Sequence, residues 1–273
     1  MIERITSHHN PRIKNTIRLH SSRGRQSQGR IIVFGTREVE RAIGAGIDFE
    51  EIFFADAETD ELVGSIAAKT AGTATRLIYL DEDVFAKIAY GDRTDGVVGV
   101  AARPKTNLER VDPHPAGVPN SGLVMVVQAI EKPGNIGAII RTADACGVAA
   151  VICADPLTDV FHPNSIRAST GTVFSVPVAT GSSEQVQNWL REHEFQVLTA
   201  RLDNATDFFQ SDLTGNIAIV VGNEAKGLDQ QWSREGYTAV RLPMLGQADS
   251  LNVSVTASVM MYEAMRQRNN RWR

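Results

Sequence analysis

The sequence predicts an α/β protein with two domains: a smaller N-terminal α/β domain, then a domain with a mostly parallel sheet covered by helices on both faces. Its 273 residues are enough for two domains that each bury a core. A proline-rich stretch separates two halves whose strand patterns differ. We therefore predict domains at 1–103 and 122–273, joined by a linker at 104–121.

Short helix and strand patterns alternate in the first 103 residues. A helix is predicted at 11–20, where Pro11 opens the segment and Ile13 and Ile17 lie four residues apart. Residues 21–30 are only Ser, Arg, Gln and Gly, which predicts a mobile basic loop. Strands are predicted at 31–34, 52–55, 76–80 and 97–101. Further helices are predicted at 36–45, with Thr36 as its N-cap, at 58–71 and at 83–89.

The C-terminal half begins after a segment with little periodicity. Residues 103–122 contain four prolines and no repeating apolar pattern, which is typical of a linker. Beyond them, four apolar runs have few polar interruptions, as expected of parallel strands that are buried on both faces. These runs are LVMVVQAI (123–130), AVICA (150–154), QVLTARL (196–202) and IAIVVG (217–222).

Composition excludes several classes of protein. Apolar residues make up 42% of the chain and charged residues 22%, which indicates a globular protein and argues against wholesale disorder. No apolar run reaches the roughly 18 residues that would cross a bilayer. The first residues show no signal-peptide core, so we expect no membrane association and a cytoplasmic location.

Metal ligands and disulfides are not expected. Cys146 and Cys153 lack CxxC spacing, and the six histidines form no HExxH pattern. The sequence therefore predicts neither a disulfide framework nor a protein-bound metal.

Positive charge is concentrated near the N-terminus although the net charge is −4. Nine lysines and arginines occur between residues 3 and 41, against three glutamates, and four more arginines lie in the last eight residues. Such asymmetry is typical of a phosphate-binding face, but a solvated surface would look the same. The candidates for RNA contact in this region are Arg23, Arg25, Arg30 and Arg37.

Three segments of the C-terminal half carry residues suited to chemistry. The first, GNIGAIIRTADACG at 134–147, is a turn that enters a helix, whose N-terminus suits an anion. The second, VVGNEAKGLD at 220–229, is a strand followed by a glycine loop that suits close approach to a flat ligand. It has neither P-loop nor GxGxxG spacing. The third segment, at 241–264, contains Ser250, which we predict to cap the helix that follows it. That helix is rich in small residues at its start.

Each segment alone has a structural explanation, because turn glycines, caps and surface arginines are common. Together, however, NxGxxxRTA, VxGNExxGL and LPMxGxxxSLNVSVxxS closely resemble, in this order, the three motifs of the SpoU (TrmH) family. That family belongs to the SPOUT superfamily of RNA methyltransferases. The resemblance covers 122–268, and Asn164, Arg167, Ser169 and Gly171 resemble a further family segment. The first 100 residues resemble the substrate-binding domain that often precedes this catalytic domain.

The resemblance implies a C-terminal trefoil knot, S-adenosylmethionine as methyl donor, and a homodimer whose two subunits complete each active site. It implies cofactor loops after three strands and before the last helix. The implied cofactor-binding residues are Ala200, Val221, Gly222, Asn223, Glu224, Gly227, Leu242, Met244, Leu251 and Asn252.

The resemblance also implies the catalytic residues Arg141, Asn135, Glu224, Ser250 and Asn252. Arg141 is assigned to activation of the ribose 2′-hydroxyl. Because arginine normally keeps its proton, we expect it to orient the ribose and to stabilise developing alkoxide charge. Arg167 is a second candidate, either for RNA phosphate contact or for supplying charge across the dimer.

Three functions fit these expectations. The first is ribose methylation of ribosomal RNA of the 23S type, and the second is ribose methylation of transfer RNA; the extra N-terminal domain favours the first. The third is a non-catalytic RNA-binding protein on the same fold, which the intact motif residues argue against. The dimer is expected through the last helix and the helix of the first motif, with Ser254, Ala257, Ser258 and Met261 forming a small-residue face.

Overall fold

The computed structural model describes residues 2–56, 60–89, 96–114, 117 and 121–268, and it divides into two compact units. Unit 1 comprises Met1–Pro104 and Phe161–Ser175, and unit 2 comprises Lys105–Val160 and Val176–Arg273. This division differs from the predicted one in two places. The segment Phe161–Ser175 belongs to unit 1, and the residues of the predicted linker belong to unit 2 apart from Pro104.

Helices and strands alternate through most of the chain. The helices are α1 (Pro11–Arg18), α2 (Ser22–Gln28), α3 (Thr36–Gly44), α4 (Asp60–Lys69), α5 (Glu82–Ile88), α6 (Pro133–Cys146), α7 (Pro163–Ala168), α8 (Ser183–Glu192) and α9 (Val253–Arg268). The strands are β1 (Glu3–Ile5), β2 (Arg30–Phe34), β3 (Phe49–Ala55), β4 (Arg76–Leu80), β5 (Val97–Ala102), β6 (Leu123–Gln128), β7 (Ala150–Ala154), β8 (Val178–Gly181), β9 (Gln196–Ala200), β10 (Thr206–Asp207), β11 (Ile217–Val221) and β12 (Thr238–Arg241).

Unit 1 is built on a mixed sheet in the order β1-β4-β3-β5-β2. Strands β1, β4 and β3 are parallel to one another, whereas β5 runs antiparallel to both β3 and β2. Apolar side chains from the helices and strands form one core, including Ile13, Ile32, Phe53 and Ile78.

The predicted basic loop at 21–30 is wrong, because most of it forms the helix α2. The Ser21 hydroxyl accepts a hydrogen bond from the Gly24 amide at 3.0 Å, and Gly29 ends the helix with a φ of +61°. These end signals outweigh the lack of an apolar stripe. Residue Thr36 also departs from prediction: it is the first residue of α3, and the N-cap is Gly35.

Unit 2 confirms the expected parallel sheet. All seven strands run parallel, in the order β10-β12-β9-β11-β6-β7-β8. Helix α8 contributes Trp189 to a core with Val124, Val126 and Val220, while α9 packs against β6 and β11. The strands of unit 2 therefore place their carboxyl ends along one edge of the sheet.

The first part of the predicted linker is folded onto unit 2. Leu108 and Val111 are buried in the same core cluster as Trp189, because a short 3-10 turn at Leu108–Arg110 turns them inwards. Residues 115, 116 and 118–120 lie outside the described residues.

Both cysteines are free and buried. Burial raises the pKa of Cys146 to about 11 and that of Cys153 to about 12, so both are protonated thiols at neutral pH. Among the described residues, no three His, Cys, Asp or Glu side chains cluster as metal ligands would. The described helices are all too short or too polar to cross a membrane.

Candidate active site

Most of the predicted cofactor residues gather at the carboxyl edge of the parallel sheet in unit 2. Ala200 ends β9, Val221 ends β11, and Leu242 directly follows β12. The three strands are neighbours, with Val240 opposite Ala200 and Val220 opposite Thr199. Ligands of open parallel sheets bind outside this edge. The structure therefore brings these loops together as the sequence predicted.

The loop after β11 is held closed by its own hydrogen bonds. The Asn223 amide donates to the Gly227 carbonyl at 3.1 Å, and the Gly227 amide donates back at 2.9 Å. The buried Asn223 side chain donates to the Ala129 carbonyl at 2.9 Å and accepts from the amides of Ala225 and Lys226. The Asn223 side chain therefore fixes the conformation of the loop and ties it to the segment after β6.

Gly222 is required by a close approach within this loop. A Cβ atom at Gly222 would lie 2.5 Å from the carbonyl carbon and oxygen of Gly227 and 2.6 Å from the Leu228 nitrogen. Gly227 itself has a φ of +68°, which also favours glycine. No larger residue fits at Gly222 without displacing the backbone.

The loops offer the surroundings that an adenosine moiety needs. Leu242 and Met244 are half-buried, and Leu251 is 40% exposed, so apolar surface remains available on the segment between β12 and α9. Backbone amides and carbonyls of such loops can hydrogen-bond a base edge without charged side chains. The donor set and the apolar lining fit S-adenosylmethionine.

Three predicted polar residues form one hydrogen-bonded chain across three separate segments. The Asn135 side-chain amide donates to Glu224 Oε1 at 2.5 Å. The Asn252 side-chain amide donates to Asn135 Oδ1 at 3.5 Å. Residue Asn135 lies in the first turn of α6, Glu224 lies in the loop after β11, and Asn252 immediately precedes α9. The tertiary fold thus joins all three motifs through these side chains.

Ser250 does not cap the last helix as predicted. Its hydroxyl donates to Asp249 at 3.3 Å, and the residue is exposed. Instead, Asn252 Oδ1 accepts hydrogen bonds from the Ser254 amide at 2.9 Å and from the Ser254 hydroxyl at 2.6 Å. Asn252 therefore both caps α9 and joins the polar chain, because it lies next to the first helical residue.

Arg141 lies apart from this polar chain. It follows Asn135 by six residues on α6, which corresponds to a rise of about 9 Å and a rotation of about 240° around the helix axis. The side chain is exposed, and within the described part of the chain it has no hydrogen bond or ion pair. Arg141 is thus available to a negatively charged ligand.

The small-residue face of α9 is used inside the subunit. Ala257 and Met261 are fully buried, and the Ser258 hydroxyl lies 2.9 Å from the Thr142 hydroxyl of α6. Ala257 and Met261 are therefore covered by the same chain, since this face packs against α6, and they cannot themselves contact a second subunit. The dimer stays a prediction.

The predicted RNA-binding arginines differ in their availability. Arg25 is fully buried and donates to the carbonyls of Leu19 and His20, so its prediction as an RNA contact is wrong. Arg30 pairs with Glu50, and Arg37 pairs with Glu38 at 3.2 Å. Arg23 and Arg167 are exposed, and neither has a side-chain partner among the described residues.

Two supports of the site were not foreseen from the sequence. Ala129, directly after β6, has a φ of +53° and offers its carbonyl to Asn223. Glu131 accepts a further hydrogen bond from the Asn223 side chain at 3.2 Å. A non-glycine residue with positive φ leaves no mark in the sequence, so only the fold reveals this support.

Comparison with known proteins agrees with this geometry. The model of the SpoU rRNA Methylase family matches residues 122–262, which is more than half of the chain. The chain belongs to the SpoU rRNA methylase family. A second model, the MRM3-like substrate binding domain, matches residues 10–99 and accompanies the SpoU domain here.

Relatives of this SpoU chain match over nearly its whole length. A 23S rRNA (uridine(2479)-2′-O)-methyltransferase of Streptomyces viridochromogenes is 31% identical, covering 97% of this chain and 92% of the relative. A 23S rRNA (guanosine(2553)-2′-O)-methyltransferase of Bacillus subtilis is 26% identical, covering 96% of this chain and 98% of the relative. The AdoMet-bound rRNA methyltransferase of Sinorhizobium meliloti superposes with a TM-score of 0.89 at 28% identity, covering 98% and 99% of the two chains.

Proposed function

We propose that this chain transfers the methyl group of S-adenosylmethionine to a ribose 2′-hydroxyl of ribosomal RNA. The observation that carries the proposal is the hydrogen-bonded chain of Asn135, Glu224 and Asn252, which lies at the meeting point of the three SpoU motifs. The relatives from Streptomyces viridochromogenes and Bacillus subtilis are 2′-O-methyltransferases of 23S ribosomal RNA. These two relatives come from bacteria, whose ribosomal RNA lies in the cytoplasm, and we propose a cytoplasmic location for this chain on the same ground.

The loops after β9, β11 and β12 would hold the cofactor. When bound, S-adenosylmethionine supplies an electrophilic methyl group, so the donor needs no further activation. Gly222 and Gly227 leave room for close backbone approach, and Leu242 and Leu251 supply apolar contact. Exclusion of water from this pocket would strengthen the polar contacts inside it.

The ribose hydroxyl is the group that requires help. Arg141 is exposed and has no partner in the described chain, so its guanidinium can orient the ribose and an adjacent phosphate and stabilise developing alkoxide charge. Asn135 and Glu224 would contact the ribose or the cofactor from the neighbouring loop. Ser250 is exposed, and among the described residues its hydroxyl bonds only Asp249, so it can reach a bound RNA.

A homodimer is part of the proposal, but with a different face of α9. Val255 and Tyr262 are 46% and 49% exposed and lie seven residues apart, two turns along one side of the helix. Large exposed apolar side chains of this kind support a subunit contact. Light scattering of wild type and of a Val255→Glu, Tyr262→Glu variant tests it. A monomeric wild type with full activity would contradict the dimer.

The trefoil knot remains a prediction.

The deciding experiment is transfer of a tritiated methyl group to RNA. Purified protein is incubated with labelled S-adenosylmethionine and with ribosomal or transfer RNA from cells that lack this protein, and the modified nucleotide is mapped. Label in a 2′-O-methyl nucleotide of ribosomal RNA supports the proposal. Label in transfer RNA alone would favour the transfer RNA alternative. RNA binding without any transfer would favour a non-catalytic protein.

A further inference from the structure

We propose that the corner formed by α1 and α2 is the surface by which this chain binds the phosphate backbone of its RNA, through Lys14, Arg18 and Arg23. The proposal rests on the proposed function, because it takes RNA to be the substrate. It replaces the predicted contacts at Arg25, Arg30 and Arg37 with a different set of cations.

Carboxylates already neutralise several other cations of unit 1. Arg4 pairs with Asp56 and with Asp81. Arg12 pairs with Glu3 at 2.7 Å. A phosphate would have to compete with these carboxylates for the same N–H groups, which lowers the gain from binding. Among the described residues of unit 1, the further ion pairs that involve lysine or arginine are Arg12–Glu51, Arg30–Glu50, Arg37–Glu38 and Lys69–Glu40.

The cations of the corner are different. Lys14, Arg18 and Arg23 are all exposed, and their side chains have no hydrogen bond or ion pair to any residue that the structure describes. Lys14 and Arg18 lie four residues apart on α1, so they share one side of that helix. No described carboxylate neutralises their charge, so these cations can attract phosphate groups. Binding would then release the counterions of the RNA.

The corner itself is rigidly built. A Cβ atom at Gly24 would lie 1.8 Å from the Arg18 carbonyl oxygen, so the start of α2 directly contacts the end of α1. The Ser21 hydroxyl donates to the same oxygen at 3.0 Å. The buried Arg25 guanidinium donates to the carbonyls of Leu19 at 2.9 Å and His20 at 3.0 Å.

These contacts give buried Arg25 a structural role and fix Arg23 relative to Arg18. Cations on a fixed backbone lose less backbone entropy on binding than cations on a mobile loop would. The backbone positions that carry the three charges are therefore set before RNA binds.

The chemistry of the unit favours RNA over a membrane surface. A membrane-binding helix presents large apolar side chains beside its basic ones. All the large apolar side chains that are exposed in the described structure lie in unit 2, and none lies in unit 1. The surface of the corner is polar, with Asn15 and Gln26 exposed beside the three cations.

The test compares two triple variants that remove the same charge. The corner variant carries Lys14→Gln, Arg18→Gln and Arg23→Gln. The matched control carries Lys69→Gln, Arg4→Gln and Arg12→Gln, which removes one lysine and two arginines that are paired with carboxylates. Binding of ribosomal RNA is measured over a series of salt concentrations, and KM for RNA is measured with saturating S-adenosylmethionine.

We expect the corner variant to bind RNA at least tenfold more weakly, with a salt slope that is shallower by about two to three. The control should stay within threefold of wild type. Equal losses in the two variants, or an unchanged salt slope in the corner variant, would overturn the proposal.

Failure of the proposed function would give a different result. A wild-type protein that binds S-adenosylmethionine and RNA but transfers no methyl group would refute the proposed function. The RNA-binding curves of the corner and control variants would still show whether the corner binds RNA. Conversely, normal transfer with a corner variant of wild-type KM and salt slope refutes only the corner.

Discussion

The Arg41 guanidinium donates two hydrogen bonds to Thr170, one to its carbonyl oxygen at 2.7 Å and one to its hydroxyl at 2.6 Å. Thr170 has a φ of +54°, which is unfavourable for a β-branched residue. Gly171 follows with a φ of +86°, and a Cβ there would lie 3.2 Å from the Glu38 Cα atom. Helix α3 therefore holds the left-handed backbone that ends α7, three residues after Arg167.

Replacement of Arg41 by alanine should release this segment. The Thr170 carbonyl and hydroxyl would lose a charged donor while staying largely buried, which costs on the order of 2–3 kcal/mol. Denaturant unfolding measures the loss, and hydrogen exchange should show faster exchange of the amides of residues 163–174. Lys87→Ala, an exposed helical residue of unit 1, is the control and should change stability by less than about 0.5 kcal/mol. Unchanged exchange in the Arg41 variant would contradict this role.

Gly222→Ala should impair cofactor binding far more than another glycine substitution nearby. The added methyl group would collide with the Gly227 carbonyl and the Leu228 nitrogen, so the loop has to shift. Gly215→Ala is the control, because a Cβ there meets nothing within 4 Å. Calorimetric titration with S-adenosylmethionine should show at least a tenfold weaker affinity for Gly222→Ala and a wild-type affinity for Gly215→Ala. Equal affinities would show that the loop is not the cofactor site.

The end of α9 offers a matched pair of arginines. The Arg268 guanidinium donates to the carbonyls of Ser121, Gly122, Leu213 and Gly215, at 2.6 to 3.2 Å. Burial lowers its pKa to about 10, so it remains charged at neutral pH. Arg266, by contrast, is exposed and pairs with Glu263 one turn earlier.

Arg268→Ala should therefore lower the free energy of unfolding by on the order of 3 kcal/mol, because four carbonyls lose a shared charged donor. The loss caused by Arg266→Ala should stay below about 0.5 kcal/mol. Thermal and denaturant unfolding of the two variants measure the difference. Similar stabilities would mean that water replaces Arg268 at these carbonyls without cost.

The parallel sheet was predictable because burial on both faces leaves a strong pattern. The runs at 123–130, 150–154, 196–202 and 217–222 became β6, β7, β9 and β11. Shorter strands such as β8 and β12 carry too few residues for such a pattern. The place of Phe161–Ser175 in unit 1 depends on contacts such as Arg41–Thr170, 129 residues apart, which no local pattern contains.

The N-terminal helices show why composition and charge alone gave the wrong prediction at 21–30. A composition of Ser, Arg, Gln and Gly predicted a loop, but capping at Ser21 and Gly29 and the burial of Arg25 formed α2. Which arginines meet carboxylates is likewise a long-range property. Arg12 and Glu51 approach only through the fold.

In the candidate site, motif resemblance predicted most of the residues, and the fold decided which of them contact one another. Ser250 was predicted to cap the last helix, although Asn is as good a cap as Ser. Asn252 does so because α9 begins at Val253. The position of Arg141 away from Asn135 follows from helical geometry, and its function depends on what reaches it from outside the chain.

The sharpest prediction therefore concerns Arg141. Arg141→Ala should reduce the single-turnover rate of methyl transfer by about a hundredfold or more, as expected for loss of one well-placed transition-state donor. Arg141→Lys should also be poor, because an ammonium group cannot reproduce the planar fork that contacts ribose and phosphate together. Rates are measured at saturating RNA and S-adenosylmethionine, so weaker binding does not contribute.

Fold and cofactor binding should stay near wild type in both Arg141 variants, because the exposed guanidinium has no partner among the described residues. Arg191→Ala is the control: it removes an exposed arginine of α8 whose hydrogen bond, among the described residues, is to Asn188 on the same helix. Its rate should equal that of wild type. If Arg141 served only as a surface or subunit-contact charge, Arg141→Ala would change stability or assembly while the folded protein kept a near-normal rate. Such a rate would remove Arg141 from the mechanism.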